Sequence, residues 1–160
     1  MVTIESWEEI NTDKDGANAA KDTILDMFFW SQVKYVLQFT KPIYYVIKFA
    51  DSDRPVIGEV YEQMDSMLEQ IKDIVEPRDT TLYKYIRADV VKRWDMLNIP
   101  LHALAYVLTP KYYSPSWLST TAPGGASTRK PHLDPEVLEK YMISLDRLVP
   151  DEEEAHSVRK

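Results

Sequence analysis

The chain has 160 residues, room for one domain and a tail but not for two independent cores. It has no cysteine, which excludes a disulfide scaffold, a cysteine nucleophile, thiolate zinc and iron–sulfur clusters. Three widely spaced histidines (His102, His132, His156) show no metal-ligand spacing, four glycines cannot build a phosphate loop, and a net charge of −7 lacks the basic face of an isolated nucleic-acid binder.

From the N-terminus, residues 1–20 read as a weakly ordered lead, because Asp13, Asp15, Gly16 and Asn18 are turn formers. Met1 to Asp15 is polar and acidic and carries no secretory pattern. Apolar stretches are broken by Lys34, Lys41 and Lys48, short of the ~20 residues of a membrane span. A soluble intracellular protein is expected.

A helical core is predicted over 21–113. Its first element runs from Asp22 to Ala50, with Leu25, Phe29, Val33, Val36, Ile43, Ile47 and Ala50 in one stripe. Pro42 predicts either one kinked helix or two helices meeting at Thr40–Pro42. Asp53 or Ser52 can cap a second helix with Pro55 in its first turn. Its apolar face is Val56, Val60, Met64, Met67, Ile71 and Ile74. The acidic side chains Glu59, Glu62, Asp65, Glu69, Asp73 and Glu76 are expected on an opposite, solvated face.

Pro77 ends that helix, and Thr80 or Asp79 caps a third, buried through Leu82, Ile86, Val90, Trp94 and Leu97. Pro100 starts a fourth with Leu101, Leu104, Ala105 and Leu108 inward, and Thr109-Pro110 stops it. Residues 114–131, rich in proline, glycine, serine and threonine, read as a flexible linker. Asp134-Pro135-Glu136 opens a C-terminal helix within 132–150, carrying Leu138, Tyr141, Leu145 and Leu148. Residues 151–160 are an acidic tail. No segment alternates with period two, so the chain reads all-α, an irregular bundle of about four to six helices.

Candidate chemistry is sparse. Asp51 and Asp53 lie between helices, where caps are expected, not on the rigid scaffold that holds catalytic metals. The Glu59–Glu76 acids lack the Glu-x-x-His step of a carboxylate-bridged metal bundle. His102 could act as a base only with Ser114, Ser116 or Ser119, none set in a Gly-x-Ser-x-Gly turn. Lys84-Tyr85-Ile86-Arg87 and Lys111-Tyr112-Tyr113 are the nearest approach to a stacking platform for single strands, although core packing is the expected role of the aromatics.

Longer strings carry more information. They are Phe29-Trp30 with Val33, then Pro42, then Ala50-Asp51, then Ile57-Gly58-Glu59-Val60-Tyr61-Glu62-Gln63-Met64-Asp65. Arg93-Trp94, Pro100-Leu101-His102-Ala103 and Tyr106-Val107-Leu108-Thr109-Pro110 follow in order. Asp134 through Arg147-Leu148-Val149-Pro150 completes the series, and Met1 to Trp7 forms a lead-in. Together they resemble a stretch of plant hAT-like transposases, which join a plant domain of unknown function to a hAT dimerisation region. The resemblance spans most of the chain apart from 114–131.

In that family an RNase H-like catalytic domain with three metal-binding acids is interrupted by a large helical insertion. The resemblance implies that this chain corresponds to the insertion. The zinc-binding finger, the catalytic strand, the Cys/His string and the dimerisation segment do not lie within these residues. It therefore carries over no catalytic, cofactor-binding or metal residue, no cofactor and no enzyme activity. The string positions Trp30, Pro42, Gly58, Tyr61, Asp65, Arg93, Trp94, Pro100, His102 and Pro110 are expected to serve packing. Gly58 is placed for close backbone approach, and Arg93 to pair with Asp65 or Glu62.

The resemblance implies a nuclear, non-catalytic module for scaffolding or protein contact, with a protein partner or self-association. No membrane or small-molecule substrate is expected. A transposase-derived DNA-binding module is the alternative, disfavoured by net charge, and a small all-α enzyme using His102 is the third reading. A module whose neighbours are missing should expose an apolar patch.

Overall fold

The computed structural model describes residues 14–121, 125, 127–151, 153, 154 and 157. Among these the chain is all-α. Thr121 and Ser127 form an isolated antiparallel bridge and no strand is present. The chain divides into two compact units, Met1–Gln38 and Phe39–Lys160.

In the first unit, helix α1 spans Lys14–Leu25, and α2, Met27–Ala50, begins. Helix thus starts inside the predicted lead, and the break falls at Asp26, not at Thr40–Pro42. The Asp26 carboxylate accepts from the Phe28 amide at 2.8 Å, a capping bond that ends one helix and starts the next. Trp30 donates its indole N–H to the Ile24 carbonyl at 2.7 Å and meets Phe29 edge-on. Trp7 and the rest of the lead-in string lie outside the described residues.

In the second unit α2 continues unbroken through Pro42, which is buried. Proline inside a free helix costs ~3 kcal/mol. Here Phe39, Ile43 and Val46 pack against Met67, Ile71, Val75 and Tyr83, so tertiary burial holds the helix through it. No side chain caps the next element. Ser52 donates instead to the Phe49 carbonyl, and a 3-10 turn, Ile57–Glu59, leads from Val56 into α3, Val60–Val75. The core face of α3 keeps Met64, Met67, Ile71 and Ile74 of the predicted stripe and widens to include Tyr61 and Val75.

Helix α4, Thr80–Leu97, is capped by Asp79, whose carboxylate accepts from Leu82 N–H at 2.8 Å. Leu82, Ile86, Val90 and Trp94 pack against the cores as predicted, Tyr83 is buried beside them, and Leu97 is exposed. Helix α5, Pro100–Leu108, buries Ala103, Leu104 and Tyr106 and leaves Leu101 and Leu108 exposed. The second core cluster is aromatic, built on Tyr61, Tyr106 and Tyr112 with Ala103 and Val137.

A 3-10 turn over Pro110–Tyr113 and a single helical turn, α6 (Pro115–Leu118), follow. The predicted linker thus holds a capped helical turn, with Ser114 Oγ accepting from Trp117 N–H at 3.3 Å and Thr128 donating to the Trp117 carbonyl at 3.0 Å. After a 3-10 turn at Pro131–Leu133, helix α7 spans Pro135–Leu148. Asp134 caps α7 through the amides of Glu136 and Val137. Val137, Ser144 and Leu145 are buried, while Leu138 and Leu148 are exposed. No helix among the described residues is long and apolar enough to cross a membrane.

Candidate functional site

A chain of stacked rings crosses the second unit. His102 lies flat on Trp94 at 6.1 Å, Trp94 meets Tyr61 edge-on at 5.0 Å, and Tyr61 stacks on Tyr106 at 5.3 Å. Tyr106 meets Tyr112 edge-on at 4.4 Å, and Tyr112 meets Trp117 edge-on at 5.0 Å. Helices α3, α4 and α5 supply the first four rings, and the turn after α5 with α6 supplies the last two. Edge-on and offset pairs are the favourable orientations of ring quadrupoles.

Two polar networks flank the rings. In the first, the Tyr61 hydroxyl donates to Asn98 Oδ1 at 2.9 Å, and the buried Asn98 amide donates to Glu136 Oε1 at 3.0 Å. Lys140 donates to the same carboxylate oxygen at 3.1 Å. The Tyr61 hydroxyl is pushed up to about 12, first by burial, against the lowering effect of the Asn98 bond, with Glu136, Asp134 and Asp65 adding to the rise.

In the second network Glu62 accepts from Lys111 at 2.7 Å, the Tyr112 hydroxyl at 2.9 Å and the Trp117 indole at 3.4 Å. Lys111 also reaches Glu59 at 2.9 Å. Burial alone would lower the Lys111 pKa, but its bonds to Glu62 and Glu59 outweigh that and raise it. Burial, then Glu62, raises the Tyr112 hydroxyl well above the phenol range.

Between the networks opens a cleft of about 530 Å³. Its floor includes Tyr61, Trp94 and Tyr106, and its walls carry Glu62, Asp65, Glu69, Asp134 and Glu136, with Arg87, Arg129 and Lys130. The acids of α3 are therefore not a simple solvated face, because Glu62 is bonded inward and Asp65 and Glu69 line the cleft. Asp65 keeps an open side to solvent, yet its carboxyl is pushed up to about 6, first by desolvation, then by Asp134, Glu136 and Glu69. Tyr106 is more than nine-tenths buried, and its hydroxyl has no hydrogen-bond partner among the described residues.

Of the string positions, the structure brings Tyr61, Asp65, Trp94 and His102 to this cleft or its ring chain. Pro100 starts α5 beneath it. Gly58 lies buried against α5, where a Cβ would meet Thr109 Oγ1 and the Ala105 carbonyl oxygen. Pro110 opens the turn that presents Lys111 and Tyr112. Trp30, in the first unit, and Pro42, against the other core cluster, do not line the cleft. Arg93 is exposed and makes no ion pair among the described residues, and Glu62 is taken by Lys111.

His102 accepts the Ile99 amide on Nδ1 at 3.3 Å while its own amide donates to the Ile99 carbonyl at 3.0 Å, so the ring closes the start of α5. Burial, then Lys140, lowers its pKa. Ser114, Ser116 and Ser119 bond within their own turn. In Lys111-Tyr112-Tyr113 the ring of Tyr112 is fully buried and Lys111 is ion-paired, so neither offers a face to a nucleic acid. Among the described residues no group of three or more histidine or acidic side chains is placed to hold a metal ion.

Sequence reasoning gave no role to Asn98 and gave Glu136 only that of an early carboxylate at a helix start. A lone Asn at a helix end and a Glu in a first turn carry no periodic signal of a shared hydrogen bond. Comparison with protein-family models, with curated proteins and with solved structures found no match to this chain.

The Asp65 environment fixes the sign of a pH effect. A carboxyl whose folded pKa is raised holds its proton longer than the unfolded chain, so stability falls as pH rises from about 3.8 through about 6. Asp65→Asn removes that loss. Discounted for screening on its open side, the gain at pH 7.5 is roughly 1 kcal/mol, a rise of about 2–4 °C in Tm. Below pH 4 the gain vanishes. Thermal melts at pH 4 and 7.5 check this, and an equal advantage at both pH values contradicts it.

Proposed function

We propose that this chain is a non-catalytic helical module, related to the helical insertion of plant hAT-like transposases, that works in the nucleus by protein contact, and that it makes this contact with a second copy of itself through α2. The observation that carries the reading is the apolar surface of α2. Tyr44, Tyr45 and Ile47, all in the second unit, are at least half exposed. Large side chains grouped along one helix are the usual mark of an interaction surface.

Charge supports a second copy as the occupant. Helix α2 holds Lys34, Lys41 and Lys48 and no acid, against −7 for the whole chain, so the remainder carries −10. A basic apolar helix on an acidic chain is complementary to the rest of that chain. Lys34, Lys41 and Lys48 recur every seven residues, as do Trp30, Leu37 and Tyr44.

Sedimentation velocity between 5 and 200 µM tests this. A concentration-dependent dimer is expected, returned to monomer by Tyr44→Glu with Ile47→Glu while helical content is kept. A monomer throughout the range, or a dimer indifferent to both substitutions, overturns it.

A further inference from the structure

We infer that the cleft between α3, α4 and α7 binds an organic ammonium group, with the Asp65 carboxylate and the Tyr106 hydroxyl as its polar contacts and the Tyr61 and Trp94 rings as its walls. The inference stands on observations separate from the α2 surface. Its volume of about 530 Å³ lies within the range of small-ligand sites.

Two independent features point to a cation that can also donate hydrogen bonds. Asp65 has no ion-pair partner among the described residues, and the charges that act on its carboxyl are Asp134, Glu136 and Glu69, all of its own sign. A positive group placed there relieves repulsion that the fold leaves standing. Tyr106 is more than nine-tenths buried and lines the cleft, and its hydroxyl has no hydrogen-bond partner among the described residues. The oxygen itself is not sealed off, so a ligand N–H in the cleft can reach it. An N–H donor between the two oxygens serves both.

The remaining walls select the kind of cation. Tyr61 and Trp94 line the cleft with apolar ring atoms, which suits the alkyl part of an organic ammonium. A hard divalent ion needs six or more oxygens, and no such group of ligands is assembled among the described residues. Arg87, Arg129 and Lys130 also line the cleft, and no ion pair joins any of them to Asp65 among the described residues. An amine with further anionic or carbonyl groups along its length could reach them.

The ammonium can come from a free polyamine or from a lysine side chain of another protein. Trp94 and Trp117 line the cleft, so tryptophan fluorescence reports occupancy. Spermidine, a ten-residue lysine-containing peptide, and MgCl2 at matched ionic strength are titrated in turn into the full chain. Saturation by spermidine assigns the site to free amines, and saturation by the peptide alone assigns it to lysine side chains. Either result supports the inference, provided that Asp65→Asn weakens binding at least tenfold and Tyr106→Phe several-fold.

Asp65→Asn is expected to fold at least as stably as the parent, so its loss of binding is not unfolding, and Tyr106→Phe keeps the ring. No saturation by either amine, equal binding by Asp65→Asn, or equal displacement by MgCl2 overturns the inference. The α2 substitutions leave the titration unchanged, so failure here and failure of self-association are separate results.

Discussion

Tyr112→Ala is expected to destabilise the protein by about 3–5 kcal/mol, the range for truncating a fully buried aromatic. Tyr112 has no exposed surface, and its ring joins Tyr106 to Trp117 edge-on. Removing it leaves a ring-sized void where two further aromatics lose their partner. For a chain of this length the Tm falls by about 8–15 °C.

Tyr112→Phe separates the ring from the hydroxyl. The ring contacts stay and only the bond to the Glu62 carboxylate at 2.9 Å is lost. Bonds to charged groups are worth about 1.5–3 kcal/mol. Glu62 keeps Lys111 at 2.7 Å, so the lower end of that range is expected. Urea unfolding followed by tryptophan fluorescence gives both values, with an unchanged slope showing that stability alone moved. A Tyr112→Ala midpoint within error of the parent would sink the assignment of the aromatic chain as the core of the second unit.

Gly58→Ala is expected to cost about 2–3 kcal/mol, large for one methyl group. Gly58 does not have a positive φ, so the requirement is for space rather than torsion. A Cβ at this position lands on Thr109 Oγ1 and 3.0 Å from the Ala105 carbonyl oxygen. Thr109 cannot rotate away freely, because its hydroxyl donates to that same carbonyl at 2.7 Å. The 3-10 turn must then lift from α5, which displaces Glu59 from Lys111 and shifts Tyr61 within the ring chain. The alanine recovers about 0.4–1 kcal/mol through the unfolded chain, already included in the figure above.

A double-mutant cycle with Thr109→Ala locates the strain. The nearer obstacle is the threonine hydroxyl, so Gly58→Ala/Thr109→Ala should be less destabilised than the two single changes summed, by about 1 kcal/mol. The Ala105 carbonyl remains, so full recovery is not expected. Strict additivity would mean that the methyl group never met Thr109.

Helix positions were largely legible where a cap and a stripe agreed. Asp79 before Leu82 and Asp134 before Pro135 are short acidic side chains followed by helix formers, and both bond the amides expected of a cap. The start of α3 was not legible, because Ser52 has a second option, the Phe49 carbonyl, and takes it. The break at Asp26 was missed for a related reason. Its capping bond to Phe28 interrupts an apolar run whose periodicity continues on either side. At Pro42 the sequence left one helix or two open, and burial selects the single helix.

The cleft was less legible still. Tyr61, Asp65 and Trp94 could be singled out, but as packing positions, and nothing in their order shows that Asp65 would face Asp134 and Glu136 from a helix some seventy residues later.

By itself the sequence determined an all-α chain without cysteine chemistry and with an acidic balance, because helical periodicity, composition and charge are local or additive properties. Only the tertiary structure decided that tyrosines rather than leucines would build the second core, that Glu62 would be bound to Lys111, and that Asp65 and Tyr106 would meet at one opening with their polar atoms unmatched. Those outcomes depend on which helix faces cross. A helix face is fixed by the packing of every neighbour at once, so no single stretch of the chain contains it.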